Sequence, residues 1–451
     1  MPGTKSKSKE LNLLEGDILS SIFRLSAPIM LGALLQTVYT MTDMFWVGRL
    51  GDLEVASVGT CGMILWFTQG LLNAPKVGGQ VFTGQSLGAQ QLKSARKYCR
   101  NSLQLTALFS LAISLVLLIG RYQVRAIFDF SNPVTQASFM DYYLVVIGGL
   151  IFTALPPMCA SLLTASGDTR TPFIVTLIGL GTNMLLDPLM ILHFSWGVRG
   201  AAIATICSQA LQVFIYYLYI HRRELFTKMR PLSLLDSNAC REILKLGAPS
   251  SLMNIFYAGT SIALARIVSG FGDMAIAGQR IGTNVESISY SGAEGFALAL
   301  SALLAQNYGA KQYRRSREIY RKGLFLIFLF SCFTSFLLFF FGRNFAQLFL
   351  SQPESIEHCS NYLRILSYSQ LFMNLEIILV AAFAALGNTF TPAVIVTFIM
   401  FLRVPIAYFL SRTNLGATGI WWSISGTSMM KGAILYLIFD QFQRRRLREP
   451  F

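Results

Sequence analysis

Charge is scarce in this chain of 451 residues: 13% are Asp, Glu, Lys or Arg, against about a quarter in soluble globular proteins. With 53% of its residues hydrophobic, the chain cannot cover a water-facing surface of the size its length demands. A soluble fold is excluded, and the solvent is mostly lipid. Histidine is nearly absent, with three residues, and the seven cysteines (Cys61, Cys99, Cys159, Cys207, Cys240, Cys332 and Cys359) stand singly, without a CxxC pair. That spacing excludes a zinc or iron–sulfur centre, and we expect free thiols in helix packing. There is no GxxxxGK[ST] phosphate loop, no HExxH and no GxSxG in a usable frame, so we expect neither an enzyme nor an ATP-driven pump, and no cofactor.

The acids are also outnumbered, 22 against 37 basic residues, for a net charge of +15. Nucleic-acid binding is one reading of such an excess, but the basic residues lie in short runs between apolar stretches, which is the pattern that orients membrane proteins. The runs Lys93 to Arg100, Arg222 to Lys245, Lys311 to Lys322 and Arg444 to Arg448 fall on one face, whereas the opposite loops carry isolated arginines such as Arg49, Arg199 and Arg412. Both termini and the central linker are therefore expected in the cytoplasm of a multi-pass plasma-membrane protein. The polar segment before the first apolar stretch has no cleavage site behind it and is expected to stay attached.

Twelve apolar stretches are long enough to cross about 30 Å of hydrocarbon. They run approximately over 21–46, 55–82, 101–120, 140–164, 172–194 and 200–220, then 243–268, 279–305, 323–341, 361–386, 392–411 and 417–440. The second six repeat the first at an offset of about 221 residues. Leu25-Ser26-Ala27-Pro28 meets Leu246-Gly247-Ala248-Pro249, Gln85 meets Gln306, Gly88-Ala89 meets Gly309-Ala310, and Thr171-Pro172 meets Thr391-Pro392. An even number of spans per half makes the repeat parallel, with two like-oriented bundles around a central cavity. The expected fold is an all-α integral membrane protein with twelve transmembrane helices in two parallel six-helix repeats. Its divisions are a cytoplasmic segment 1–20, an N-terminal lobe 21–221, a linker 222–242, a C-terminal lobe 243–440 and a basic tail 441–451.

A duplicated scaffold keeps its packing residues twice, so an ionisable residue placed inside the membrane in one half alone is a candidate for function. Asp43 is one: its partner position is Leu264. Asp187 is another, since the matching stretch Leu402-Arg403-Val404-Pro405 has no carboxylate. Tyr39 stands one turn from Asp43, Asn183 one turn from Asp187, and Thr205 one turn from Gln209. Converging, these stripes form an oxygen-rich pocket for a hard monovalent cation or a shared proton. The alternative is a helix cap at Asp43 and a proline turn after Asp187. Lys76, Glu286, Glu294, Glu376, Arg403 and Lys431 could line the central cavity, pair with one another or snorkel to the interface. As substrate-cavity candidates we take Gln36, Asn73, Glu286, Glu294, Glu376 and Arg403.

These residues resemble the multidrug and toxic compound extrusion (MATE) family over nearly the whole chain. The resemblance rests on Pro28 to Gly51 with Asp43-Met44-Phe45-Trp46-Val47-Gly48-Arg49-Leu50-Gly51, on Gly167-Asp168-Thr169-Arg170-Thr171-Pro172, on Asn183 to Pro188, on Gly197 to Thr205 and on Gln279 to Ala310. It implies export of cationic or amphiphilic small molecules in exchange for protons or sodium ions by a single chain, with lipid as its surroundings and no nucleic-acid partner. The DinF-like branch places the coupling ion in the N-terminal lobe, which maps onto Asp43, Asn183, Asp187 and Thr205, with Tyr39 and one of Tyr142 or Tyr143 beside them and Pro28 as a bending point. Any bound metal would be a sodium ion there. The NorM-like branch uses acids on spans 7 and 10, of which only Glu376 is present. A lipid-linked oligosaccharide flippase of the same superfamily is the alternative.

Overall fold

The computed structural model describes residues 13–128, 132–220 and 234–447. The segment 1–20, the linker 222–242 and the basic tail 441–451 fall in part outside the described residues, as does the basic run beginning at Arg222. The described residues form helices joined by short turns: α1 (Ile18–Gly48), α2 (Asp52–Gly88), α3 (Leu92–Ile119), α4 (Arg121–Ile127), α5 (Pro133–Gly148), α6 (Leu150–Ala165), α7 (Arg170–Pro188) and α8 (Gly197–Ile220) in the first half. The second half holds α9 (Ser237–Ser269), α10 (Asp273–Gly309), α11 (Tyr313–Phe349), α12 (Pro353–Ser367), α13 (Gln370–Ala385), α14 (Phe390–Ser411) and α15 (Ala417–Arg446).

Nine of these helices are long and apolar enough to cross a bilayer singly. Two bent pairs, α5 with α6 at 51° and α12 with α13 at 59°, add one crossing each. The twelfth is α15, whose Ser, Thr and Gly content lowers its hydropathy although its 30 residues exceed the length needed. Its counterpart in the repeat, α8, passes the same test. Lipid explains the outer faces: on α11, Phe325, Phe328, Phe333, Phe336 and Phe340 recur at helical spacing and are each about half exposed.

The duplication is visible in the backbone. Gln90 and Lys311, neither of them glycine, take left-handed φ values of 59° and 60° at equivalent turns, and Gly197 and Gly416 take 55° and 54°. The repeat is parallel, because α1 and α9 both begin at the basic end. Asp17, which caps α1, lies 3.9 Å from Lys322, and Asp236, which caps α9, lies 3.7 Å from Lys97.

These two contacts cross between halves, and the helices behind them do the same. Ile18, Ile22 and Leu25 of α1 sit in one core with Ala299, Leu303 and Ile319 of the second half. On α9, Gly247 lies so close to α2 that a Cβ would stand 1.9 Å from the carbonyl oxygen of Ala74. Further along, Val47 of α1 packs with Val58, Tyr143 and Val198, and Val268 of α9 packs with Leu338 and Tyr362. Each crossing helix therefore starts against the opposite lobe and finishes in its own. Pro28 and Pro249 lie within the exchanged segments, since Met30 still meets Gly295 and Asn254 still meets Gly70 beyond them.

The basic end is closed by a contact made twice. Gln85 of α2 donates from Nε2 to the carbonyl oxygen of Ala385 at 2.8 Å, and Gln306 of α10 donates to that of Ala165 at 2.6 Å. Between them α2 and α10 touch backbone to backbone: a Cβ on Gly88 would stand 1.8 Å from Gln306 O, and one on Gly309 would stand 2.0 Å from Gln85 O. Only glycine permits that approach.

Candidate functional site

Asp43 lies on the second half of α1, beyond the exchanged segment, and is 8% exposed; Asp187, at the end of α7, is fully buried. Pro188 ends the regular helix after Asp187, and the chain continues as a wider π-helical turn, Leu189–His193. Gly200 of α8 fits against that turn, where a Cβ would stand 2.6 Å from Met190 O. This brings Thr205 of α8 toward α1, and its hydroxyl shares a 3.3 Å hydrogen bond with Tyr39. Asn183 donates from Nδ2 to Asp187 Oδ1 at 3.3 Å. Asp43 lies within electrostatic reach of Asp187, and Tyr39 and Tyr142 lie within reach of both acids.

The structure therefore brings Asp43, Asn183, Asp187 and Thr205 into one cluster inside the first half, with Tyr39 beside them. Tyr142 faces the same cluster, whereas the hydroxyl of Tyr143 donates to Leu117 O at 2.8 Å, away from it. Gln209 is engaged elsewhere, accepting from Thr153 at 2.8 Å. Three buried oxygens of the cluster, Asp43 Oδ1, Asn183 Oδ1 and Asp187 Oδ2, have no hydrogen-bond donor among the described residues. Unpaired hard oxygen donors suit a proton or a small monovalent cation. Among the described residues, no three His, Cys, Asp or Glu side chains group as a metal site.

The second half holds a different network. Lys431 of α15 lies 2.7 Å from Glu376 of α13, with side chains 1% and 7% exposed. The hydroxyl of Tyr257 accepts from Lys431 at 2.6 Å and donates to Glu376 at 3.0 Å. Arg403 is buried and donates to the hydroxyls of Thr427 and Ser428. Glu286 is buried too, accepting from Tyr362 at 2.7 Å and Gln370 at 3.3 Å. Tyr257, Tyr362 and Gln370 carried no signal in the sequence that would have marked them: none is charged, and their partners lie on other helices.

Between the lobes lie two adjoining cavities of about 340 and 290 Å³, lined jointly by Asn73 and Lys76 of α2, Asn254 and Tyr257 of α9, and Tyr290 and Glu294 of α10. Of the six residues expected on the cavity wall, Asn73, Glu294 and Glu376 are there. Glu286 and Arg403 instead turn into the second half, where their hydrogen-bond partners lie. Gln36 is exposed on α1 and lines neither cavity. Hydropathy places a residue at membrane depth but not on a helix face, so it could not separate these three from the residues that line the two cavities.

Comparison with known proteins agrees with this architecture. The chain is 28% identical over 430 residues to a probable multidrug resistance protein NorM of Thermotoga maritima, covering 94% of this chain and 92% of that one. It is 23% identical to an FAD transporter of Shewanella oneidensis, covering 97% of each. In fold it is similar to an outward-facing multidrug resistance MATE family transporter, with a TM-score of 0.91 at 23% identity over 99% of this chain and 100% of that one. The sequence model of the MatE family matches residues 28–189 and 249–409, in step with the two repeats. On that match the chain belongs to the MatE family of multi-pass membrane transporters, which are not enzymes.

Proposed function

We propose that the chain is a secondary active efflux antiporter, which moves amphiphilic organic solutes out through the lobe-interface cavity in exchange for protons or sodium ions taken up at Asp43, Asn183, Asp187 and Thr205. The observation that carries this reading is the placement of the acidic cluster. It lies inside one lobe, apart from the cavity, on a helix whose other end is built into the opposite lobe's core. An ion there and a solute in the cavity compete through helix packing, and antiport follows if each favours a different arrangement. Loading the cluster with a proton or a sodium ion removes the repulsion between two neighbouring acids, which changes how tightly α1 packs on α7, and Pro28 supplies a place to bend because proline removes a backbone hydrogen bond.

The basic end faces the cytoplasm of a plasma-membrane protein by the positive-inside rule. A lipid-linked oligosaccharide flippase has less support, since the relatives bear the names of drug and flavin nucleotide transporters and the cavity wall carries both signs of charge. The test is solute efflux from proteoliposomes under separately imposed proton and sodium gradients. One gradient should drive transport and Asp43→Asn should stop it; flux indifferent to both gradients refutes the proposal.

A further inference from the structure

Most charges near the lobe interface are answered within their own lobe. Glu376 is held by Lys431, and Arg403 by two hydroxyls. Two charges are not. Lys76, half-buried on α2, has no hydrogen bond and no carboxylate within 4.0 Å among the described residues. Its one resolved charge interaction is with Glu294, across the cavity on α10. Glu294 is itself exposed to the cavity. A lone ammonium at membrane depth is costly, and such residues serve ligands or ion paths far more often than packing. Neither charge belongs to the repeat: the position matching Lys76 is Ala297, and the position matching Glu294 is Asn73.

The two walls thus present opposite charges that face each other without pairing, framed by Trp66, Phe67 and Tyr290. A simple organic cation placed here meets one favourable and one unfavourable charge. A molecule with an acidic group at one end and a basic nitrogen at the other meets two favourable ones, and its rings cover the aromatic walls. We propose that this cavity recognises amphoteric aromatic solutes, with Lys76 receiving the acidic group and Glu294 the basic nitrogen, so that Lys76 sets the preference against simple organic cations. This inference rests on the efflux reading of the same cavity and narrows it.

The test is equilibrium binding to the purified full chain by fluorescence polarisation. The probes are one xanthene dye in two forms, the free carboxylate, which is a zwitterion, and its methyl ester, which is a cation. The carboxylate form should bind at least about tenfold tighter, which is ~1.4 kcal/mol. Lys76→Gln should erase that preference by weakening the carboxylate form and tightening the ester, and Lys76→Arg, which keeps the charge, should retain it. Glu294→Gln should weaken both forms and leave their ratio unchanged. Equal or tighter binding of the ester to the unmodified protein overturns the proposal, as does equal weakening of both forms by Lys76→Gln. If neither dye binds a protein that still performs gradient-driven efflux of other compounds, the charge assignment fails and the efflux reading stands. If the carboxylate preference is present and depends on Lys76 but no gradient drives transport, the efflux reading fails and the recognition site stands.

Discussion

Replacing Lys431 with methionine keeps the volume of the side chain and removes its charge, leaving Glu376 buried without a counter-ion. The ammonium stands 2.7 Å from one carboxylate oxygen and donates to the other at 2.9 Å, with Tyr257 bridging both partners. At that separation and an effective dielectric near 20, the Coulomb attraction is about 6 kcal/mol. Most of it offsets the cost of taking both charges out of water, so the intact pair contributes little net stability. Breaking one side is different, and Lys431→Met should destabilise by ~3–5 kcal/mol. The double variant Glu376→Gln with Lys431→Met should recover to within ~1 kcal/mol of the unaltered protein, because no lone charge remains. Four buried thiols, Cys61, Cys99, Cys159 and Cys359, report unfolding by their labelling with a thiol-reactive dye during an SDS titration in mixed micelles. Two thiols, Cys207 and Cys332, are exposed and set the baseline. A double variant as unstable as the sum of its single changes, with a coupling below ~0.5 kcal/mol, would refute the argument.

Three further outcomes are expected. Asp43→Asn should abolish gradient-driven efflux while the thiol-labelling midpoint stays within ~0.5 kcal/mol, since the amide keeps the shape of a group whose Oδ1 has no donor; efflux at the original rate would remove Asp43 from the coupling site. Gly88→Ala or Gly309→Ala should hold the basic end apart, because the added Cβ meets a backbone oxygen at 1.8 or 2.0 Å; spin labels on α2 and α10 at that end should show a longer mean distance, and an unchanged distribution contradicts the closure described. The carboxyl of Asp236 is held below the ordinary carboxylate range, chiefly by the backbone N–H of Ala239 and then by the charge of Lys97. A depressed value means that its contribution is present above the ordinary range and is lost as pH falls through the depressed one. Amide-exchange protection in the first turn of α9 should therefore decline as pH falls from about 5 to about 3, and Asp236→Asn should flatten that decline.

The twelve crossings and their parallel repeat were legible because lipid imposes long apolar runs and duplication leaves matching punctuation at Gly88 and Gly309 or Thr171 and Thr391. Hydropathy was blind to the water-exposed extensions, so the span expected at 323–341 is part of a helix running Tyr313–Phe349. It also missed the bends near Gly149 and between Ser367 and Gln370, where both arms are equally apolar. Asp43 and Asp187 stood out because their repeat partners lack a carboxylate. Choosing Tyr142 over Tyr143 required the helix face, which consecutive residues of one type cannot reveal. Gln85 and Gln306 were visible as a matched pair, yet nothing local indicated that each reaches a carbonyl across the lobe boundary. The same limit hid the pairing of Lys431 with Glu376, which lie 55 residues apart in sequence.

The exchange of helix beginnings between lobes has a mechanical consequence. Two bundles that merely abut can part along a plane, but these are laced together, each holding the first turns of a helix that ends in the other. Parting at the basic end must either draw Ile18, Ile22 and Leu25 out of a dry packing in which they are at most 3% exposed or flex α1 beyond them. Extraction into water would cost about 1.5–3 kcal/mol per side chain, whereas a proline already lacks one of the hydrogen bonds that bending would break. Pro28 and Pro249 each stand three residues past the last of these anchored leucines, Leu25 and Leu246. The laced helices then act as leashes with a joint: they limit how far the lobes swing, and a strain arising at Asp43, ~22 Å along the same rod from Pro28, is pulled into the other lobe's core through covalent bonds alone.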